Sequence, residues 1–294
     1  MTANKSVIKQ HGKTFFWSSL FLDKKIANRI YAVYQFCREL DDLVDDKEAK
    51  NHQQFKKIYR AWQADQYHSG FDAFKAMDPK YLPNAEVMSE FLIGQLSDIN
   101  YRQPISLSAL LKYCYRVAGT VGLMVCDVIG IKDKRLRYHA IDLGIAMQLT
   151  NICRDIFEDA QQGRSYLPKN MLEGIGTQNI MSPNDYQRKR INEVRDKLLQ
   201  LANEYYESGK LGIQFLPGKT QRSIRIAAKL YKGIGDKIRS KKISYDQGRI
   251  YLNIFEKLYE SIFLLKNQKP YKRNLIHNQL LHHSIKNLPG AHQA

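Results

Sequence analysis

Apolar residues recur at helical spacing along almost the whole chain, and this pattern limits the possible fold more than any other feature. It is clearest in six segments, at residues 26–37, 107–117, 136–157, 191–206, 224–238 and 250–265. No long stretch shows the alternation with period two that a half-buried strand requires. The sequence therefore predicts an all-α chain whose wide apolar faces surround either a dry core or a deep ligand cavity.

Proline-containing breaks separate the helical segments, as at Pro104 and Pro183. Ser106 and Ser182 stand close before two of the segments, and we predict them to be N-caps because a serine hydroxyl accepts a hydrogen bond from the first backbone N–H groups of a helix. Residues 65–84 are the least periodic and are predicted to form a long connection. Because no linker rich in Pro, Gly or Ser divides the chain, we predict one domain over residues 1–265 and a tail over 266–294.

The chain carries a formal charge of +17, which suits nucleic acid, an anionic membrane surface or phosphorylated substrates, and charge alone does not choose among them. The tail at 266–294 contains five Lys or Arg and no acid, so we expect it to be a solvated or surface-docking segment. No apolar run reaches the length of about 18 residues needed for a membrane span. The polar N-terminus lacks the apolar core of a secretory signal, so we expect a cytoplasmic chain.

The four cysteines form no CxxC pair, and each lies within an apolar-periodic stretch. In such places cysteine behaves as a small buried hydrophobic residue. We therefore expect free thiols and no metal–thiolate site at Cys37, Cys114, Cys126 and Cys153.

The first acidic cluster occupies residues 38–46, with the sequence RELDDLVDD. Four residues of helix rise about 6 Å and turn slightly more than once, so Asp41 lies almost beneath Asp45, and Asp42 beneath Asp46. Like charges at this spacing repel each other. The cluster is either a solvated acidic face or a cation site.

The second cluster is a ladder of Asn151, Asp155 and Asp159 at i, i+4 and i+8 in an otherwise apolar helical segment. Unpaired carboxylates in a packed helix are costly unless a cation meets them. Short oxygen side chains suit Mg²⁺, which also binds water and phosphate oxygens. The chain contains no GxxxxGK[ST], GxGxxG, HExxH or GxSxG motif, so metal-bridged binding of a diphosphate is the leading interpretation.

Taken together, these motifs resemble the squalene/phytoene synthase family of head-to-head prenyl diphosphate synthases. The resemblance rests on HGKTF at 11–15, YQFCRELDDLVD at 34–45, YCYRVAGTVG at 113–122, AMQLTNICRDIFED at 146–159 and GRSYLP at 163–168. It implies a single-domain isoprenoid-synthase helical bundle around a central cavity, with residues 1–265 as the catalytic domain and the two acidic motifs facing each other across the cavity mouth.

The resemblance also implies roles for individual residues. The Mg²⁺-holding catalytic groups are Asp41, Asp45, Asn151, Asp155 and Asp159. The diphosphate-binding cations are Lys13, Arg38, Arg154 and Arg249, and the polar residues of the pocket mouth are Tyr34, Tyr113, Gln148 and Tyr231. The alternative for Arg38 and Arg154 is an ion pair within their own helix, with Asp42 or Glu158 at i+4.

The activity implied is a prenyltransferase of carotenoid biosynthesis, dependent on Mg²⁺ or Mn²⁺. Two geranylgeranyl diphosphates would condense through a cyclopropylcarbinyl diphosphate to phytoene, and no NADPH is expected. The sequence leaves farnesyl diphosphate open as a substrate, and with it the products dehydrosqualene, presqualene diphosphate and squalene. Ser18 and Ser19 are small residues that would leave room for a C20 chain.

Other function classes remain as alternatives. A non-catalytic member of the same fold, such as a respiratory-complex assembly factor, would lose the acidic ligands that this chain retains. No nucleic acid is expected, because acidic ladders at the site repel phosphate unless metal intervenes. The lipid substrate and basic tail imply peripheral contact with an anionic membrane at its inner face, with a downstream desaturase as a further partner.

Overall fold

The computed structural model describes residues 17–46, 48–266 and 275–292, and these residues form helices and no strands. This confirms the prediction of an all-α fold. The α-helices are α1 (Lys24–Asp45), α2 (Ala49–Gln63), α3 (Ala85–Ile99), α4 (Leu107–Cys114), α5 (Thr120–Ile129), α6 (Lys134–Arg154), α7 (Ile156–Gln161), α8 (Lys169–Leu172), α9 (Thr177–Met181), α10 (Asp185–Ile213), α11 (Gly218–Ser240) and α12 (Ile254–Lys266). The predicted connection at 65–84 contains two 3₁₀ turns, Ser69–Phe74 and Pro79–Tyr81.

Helix α6 lies at the centre and packs against α5, α10 and α11, while α1 packs against α3 and α5. Two glycines allow the closest approach between α6 and its neighbours. A Cβ at Gly144 would lie 2.2 Å from the carbonyl oxygen of Ala118, and one at Gly122 would lie 2.3 Å from that of Ala140. The backbones can therefore touch only because these positions carry no side chain.

The helix boundaries confirm one predicted cap and correct the other. Ser106 caps α4, accepting a hydrogen bond from the backbone N–H of Ala109 at 3.3 Å. Ser182 instead follows the end of α9, and α10 begins after Asn184, whose side chain forms a capping box with Gln187. Both side chains are able to cap a helix, and the reciprocal bonds between Asn184 and Gln187 favour the later start.

Helices α4 and α5 are joined by a π-helical turn, Tyr115–Gly119, into one apolar stretch. This stretch, Leu107–Ile129, is long and apolar enough to cross a membrane by length and composition, which differs from the expectation that no segment would be. Half of its most apolar window is buried, and Leu110, Leu123 and Val128 are completely enclosed by protein. Buried core helices of globular proteins have the same length and composition.

Part of the predicted tail is packed rather than solvated, while its basic residues Lys269, Lys272 and Arg273 lie outside the described residues. Residues 275–292 lie against the helical core, with a 3₁₀ turn at Gln279–Ile285 whose Leu281 and Ile285 are buried. The hydroxyl of Tyr205 donates to the carbonyl of Leu281 at 2.6 Å. The sequence did not show these apolar contacts, because they depend on side chains far away in the sequence. The four cysteines are buried and free, as predicted.

Candidate active site

Two cavities of different character meet in the middle of the bundle. One has a volume of about 360 Å³ and polar walls, and the other has about 310 Å³ and mainly apolar walls. Four residues line both cavities: Asp41, Val117, Gln148 and Asn151. The two spaces therefore adjoin at the two acidic motifs, so that a molecule with a charged head and an apolar tail could occupy both.

The first acidic motif stands at the C-terminal end of α1. Asp41 and Asp45 are one turn apart and both line the polar cavity, as the helical spacing predicted. Gln95 of α3 donates a hydrogen bond to Asp41 Oδ1 at 2.7 Å, and Arg164 donates to Asp45 Oδ1 at 3.1 Å. Neighbouring elements thus hold both carboxylates in place.

The second motif does not lie on one continuous helix. Helix α6 ends at Arg154, Asp155 has φ −105° and ψ 16°, and α7 begins at Ile156. The backbone bonds from Asp155 N to Asn151 O (2.9 Å) and from Asp159 N to Asp155 O (2.8 Å) persist across the bend. Asn151, Asp155 and Asp159 consequently still face the same polar cavity.

Acidic side chains outnumber basic side chains on the walls of the polar cavity, although the whole chain is strongly basic. Among the described residues its lining includes six carboxylates and three guanidiniums: Asp41, Asp45, Asp98, Asp155, Glu158 and Asp159, against Arg38, Arg164 and Arg249. Burial raises the pKa of Asp41 to about 7, with a further contribution from the charge of Asp45. Burial likewise raises the pKa of Asp159 to about 8, with a contribution from Asp155.

The residues present fit divalent cations. The side-chain oxygen of Asn151 and one carboxylate oxygen of Glu158 are buried with no hydrogen-bond partner among the described residues. Carboxylate and amide oxygens are the ligands that Mg²⁺ prefers, and a cation would relieve the repulsion that raises the pKa of Asp41 and Asp159.

Stability without metal is expected to fall as the pH rises from 5 to 8. Both aspartates have an ordinary pKa of 3.8 and a folded pKa of about 7 or 8, so in this window the folded state binds more protons than the unfolded state. We expect the melting temperature in EDTA to decrease over this range. Asp159→Asn, which resembles the protonated acid, should flatten the profile, whereas a wild-type profile in that variant would contradict the assignment.

The predicted diphosphate-binding residues have different surroundings in the structure. Lys13 lies outside the described residues. Arg38 lines the polar cavity and also pairs with Asp42, the helical alternative noted above. Arg249 lines the polar cavity and binds Asp155 at 2.8 Å.

Arg154 is not among the residues that line either cavity. It donates two hydrogen bonds to Asp155, at 2.7 and 2.6 Å, rather than pairing with Glu158 at i+4. Its side chain is only 12% exposed, so it is placed to hold Asp155. A direct contact between Arg154 and substrate remains a prediction.

The predicted mouth residues divide between the two cavities. Tyr34 and Tyr231 line the apolar cavity, and Gln148 lines both. Burial raises the pKa of Tyr34 to about 12, so its hydroxyl stays protonated. Tyr113 lines the polar cavity, but its hydroxyl donates to Asp98 at 2.9 Å.

Sequence reasoning missed a second group of polar residues around the acidic motifs: Gln95, Asp98, Arg164 and Tyr166. Asp98 is 9% exposed and accepts from Tyr166 at 2.8 Å as well as from Tyr113, and burial raises its pKa to about 6. A buried acid in the apolar helix FLIGQLSDI was the available signal. Arg164 and Tyr166 belong to the GRSYLP motif, which supports the family resemblance but did not imply a role for either residue.

A sequence model of the family described as Squalene/phytoene synthase matches residues 8–256. The chain is 34% identical to a 15-cis-phytoene synthase of Enterobacter agglomerans, over 77% of this chain and 81% of the relative. It is 32% identical to a 15-cis-phytoene synthase of a Paracoccus species, over 79% of this chain and 80% of the relative.

Solved structures show the same fold. A dehydrosqualene synthase crystal structure superposes with a TM-score of 0.78 at 26% identity, covering 90% of this chain and 94% of the other. A squalene synthase from Alicyclobacillus acidocaldarius gives 0.67 at 22% identity, covering 81% and 94%. The second similarity, at its lower identity, bears on the fold alone.

Proposed function

The chain belongs to the squalene/phytoene synthase family, and we propose that it is a prenyltransferase that joins two geranylgeranyl diphosphates head to head to make phytoene. The names of its relatives support this reaction over others on the same fold. The retained acidic residues argue against a non-catalytic assembly factor. Incubation of the purified protein with C15 or C20 diphosphate and Mg²⁺, followed by identification of the lipid product, tests the proposal.

The observation that carries the proposal is the junction of the polar and apolar cavities at Asp41, Gln148 and Asn151. A prenyl diphosphate has the same two parts, since its charged head is attached directly to its apolar chain. The head would lie among the acidic motifs and their arginines, and the chain would lie between α1, α5, α6, α10 and α11. A nucleic acid has no comparable apolar tail to fill the second cavity.

Charge on the departing diphosphate is the main barrier to forming an allylic cation. We propose that Asp41, Asp45, Asn151, Asp155 and Asp159 hold Mg²⁺, which when bound would neutralise phosphate oxygens and so make the diphosphate a better leaving group. Arg38 and Arg249, on the wall of the same cavity, would donate hydrogen bonds to those oxygens. In this assignment Arg249 exchanges its bond to Asp155 for one to the substrate.

The allylic cation must then be kept away from water. Most of the apolar cavity wall consists of side chains such as Val33 that offer no nucleophile, although Cys37 and His139 also line it. The Tyr34 and Tyr231 rings on its wall can stabilise positive charge without reacting with it. Because phytoene forms by rearrangement and loss of a proton, we propose that no NADPH is consumed.

The dehydrosqualene synthase neighbour keeps a C15 substrate as the second candidate. The depth of the apolar cavity bears on this choice. Ser18 and Ser19 line it, and the Ser19 hydroxyl lies 2.9 Å from that of Tyr31, ten residues before Asp41 on α1. Ten helical residues span about 15 Å, so the cavity extends well away from the diphosphate site.

Ser19→Phe is expected to reduce kcat/KM for geranylgeranyl diphosphate at least tenfold more than for farnesyl diphosphate. The added ring would occupy space that the last five carbons need, and each buried CH₂ contributes about 0.8 kcal/mol. Ser19→Ala is the matched control, because it removes the bond to Tyr31 without adding volume. A wild-type preference for farnesyl diphosphate would replace phytoene by the products made from two C15 chains. An unchanged ratio in Ser19→Phe would show that Ser19 does not line the substrate site.

We propose further that the protein attaches peripherally to the inner, cytoplasmic face of an anionic membrane, where a desaturase would receive its product. Helix α12 supports this, because it exposes an aromatic stripe at i, i+4 and i+8: Phe255 (78% exposed), Tyr259 (68%) and Phe263 (48%). Amphipathic helices with such a stripe lie in the membrane interface.

Binding to anionic vesicles is expected to weaken in high salt, because each surface Lys or Arg contributes about 1 kcal/mol that salt screens. Phe255→Ser with Phe263→Ser should weaken it further at every salt concentration. Tyr67→Ser, at an exposed aromatic residue outside α12, is the control. Equal recovery in the soluble fraction for all variants and salts would contradict membrane attachment.

A further inference from the structure

Three imidazoles of the C-terminal segment converge on a buried carboxylate of α6. Asp142 is fully buried, and its two oxygens lie 2.7 Å from His277 Nε2 and 2.9 Å from His282 Nε2. His292 Nε2 lies 2.7 Å from His277 Nδ1. The three rings pack closely at tilted angles, with centroids 4.3 to 5.3 Å apart. None of these four residues lines the two cavities described above, although the neighbouring His139 lines the apolar one.

The hydrogen bonds define which ring nitrogens remain available. An ionised carboxylate can only accept, so His277 and His282 each donate an Nε2–H to Asp142. In a neutral ring the Nδ1 atom then carries a lone pair, and in His277 this atom faces His292 Nε2 at 2.7 Å. His282 is completely buried, and its Nδ1 has no hydrogen-bond partner among the described residues. A buried polar atom left unsatisfied in this way calls for an explanation, and an unseen ligand is one.

We propose that His277, His282 and His292 bind a divalent transition-metal ion of the zinc class, with Asp142 orienting the first two rings. Each ring offers one nitrogen, and these nitrogens all lie within 4.8 Å of one another. Zinc–nitrogen bonds of about 2.0–2.1 Å place two ligand nitrogens of a tetrahedral ion about 3.3 Å apart. This separation lies between the 2.7 Å contact of His292 Nε2 with His277 Nδ1 and the 4.8 Å within which all three nitrogens lie. Metal-binding histidines typically donate their other N–H to a carboxylate, the arrangement that Asp142 provides twice.

The neighbouring His139 offers a different donor set that we consider less favourable. His139, Asp142 and His277 also lie within 4.8 Å of one another, and His139 Nε2 is buried without a partner among the described residues. Using Asp142 as a direct ligand would divert the carboxylate from the two rings that it now orients. The three imidazoles also suit zinc, nickel or copper rather than the Mg²⁺ proposed at the acidic motifs.

The ion would fasten the end of the chain to the catalytic bundle. All three ligands belong to residues 275–292, whereas Asp142 lies on α6 and also accepts a hydrogen bond from Ser208 of α10 at 2.5 Å. The ring of Tyr138, also on α6, packs against His292 with centroids 3.7 Å apart. The metal therefore has a structural role, independent of the prenyl transfer proposed above.

The test uses the full chain purified without a histidine tag or chelator. Elemental analysis should find one zinc-class ion per chain, and removing it should lower the melting temperature and speed proteolysis within 275–292, with Zn²⁺ restoring both. His292→Ala, at a half-buried ring, should weaken Zn²⁺ binding at least tenfold. His283→Ala, at an exposed histidine of the same segment, is the matched control and should bind as wild type does.

Substitution with Co²⁺ gives a second measurement, because its visible absorption reports nitrogen ligands in a tetrahedral field. The wild type and His283→Ala should develop this absorption at one equivalent, and His292→Ala should not. The proposal is overturned if the wild type neither retains nor takes up an ion, or if His292→Ala binds as tightly as His283→Ala. If His292→Ala fails to fold, the Zn²⁺ and Co²⁺ titrations of the wild type still show whether the cluster binds a metal ion. If neither ion binds, the histidines only form hydrogen bonds with the carboxylate of Asp142.

Discussion

Asp155→Asn is expected to lower kcat for prenyl transfer roughly 100- to 1000-fold while leaving the helix content unchanged. The change keeps the shape of the side chain but removes one negative charge from the polar cavity. Removing one preorganised electrostatic contact to a transition state typically costs a factor of this size. Diphosphate release and circular dichroism, measured on the same preparation, separate loss of chemistry from loss of fold.

Two ion pairs make Asp155 the most informative position. It interacts with Arg154 and Arg249, so it links the proposed metal ligands to the proposed diphosphate-binding cations. Asp65→Asn is a matched control, because Asp65 is exposed and has a positive φ of 52° that asparagine also adopts readily. Activity of Asp155→Asn within threefold of wild type would show that the reaction does not need this carboxylate, and an unfolded variant would show that its role is structural.

Much of the fold and of the site could be predicted because both follow from spacing along helices. Asp41 and Asp45 face one cavity because four residues make about one turn. The same spacing places Asn151, Asp155 and Asp159 on one wall, even though the helix is interrupted at Asp155. The bend was not predicted, because neither proline nor glycine marks it.

Contacts between distant segments could not be predicted from a single sequence. Asp98 appeared as an ordinary acid on α3, and only the packing of Tyr113 and Tyr166 around it shows that it belongs to the site. For the C-terminal segment, charge was the only basis for predicting a solvated or surface-docking tail. Its three converging histidines follow no compact metal-binding motif, and their partner Asp142 lies more than 130 residues away.

Removal of divalent metal is expected to abolish prenyl transfer, and Mg²⁺ or Mn²⁺ is expected to restore it. Without an ion, six carboxylates face three guanidiniums in the polar cavity, and this excess of negative charge would repel a diphosphate. Hard oxygen donors favour Mg²⁺ and Mn²⁺, whereas the imidazoles of the C-terminal cluster do not.

EDTA would remove ions from both the acidic motifs and the histidine cluster. Returning Zn²⁺ and Mg²⁺ one after the other distinguishes the two sites. Restoring Zn²⁺ to one equivalent should recover thermal stability without activity, and adding Mg²⁺ should then recover diphosphate release. Protons compete with Mg²⁺ for Asp41 and Asp159, whose pKa values are about 7 and 8, so the Mg²⁺ concentration for half-maximal activity should fall between pH 6 and pH 8. Full turnover in metal-free buffer would contradict the assignment, because the acidic motifs would then need no divalent cation to accept a diphosphate.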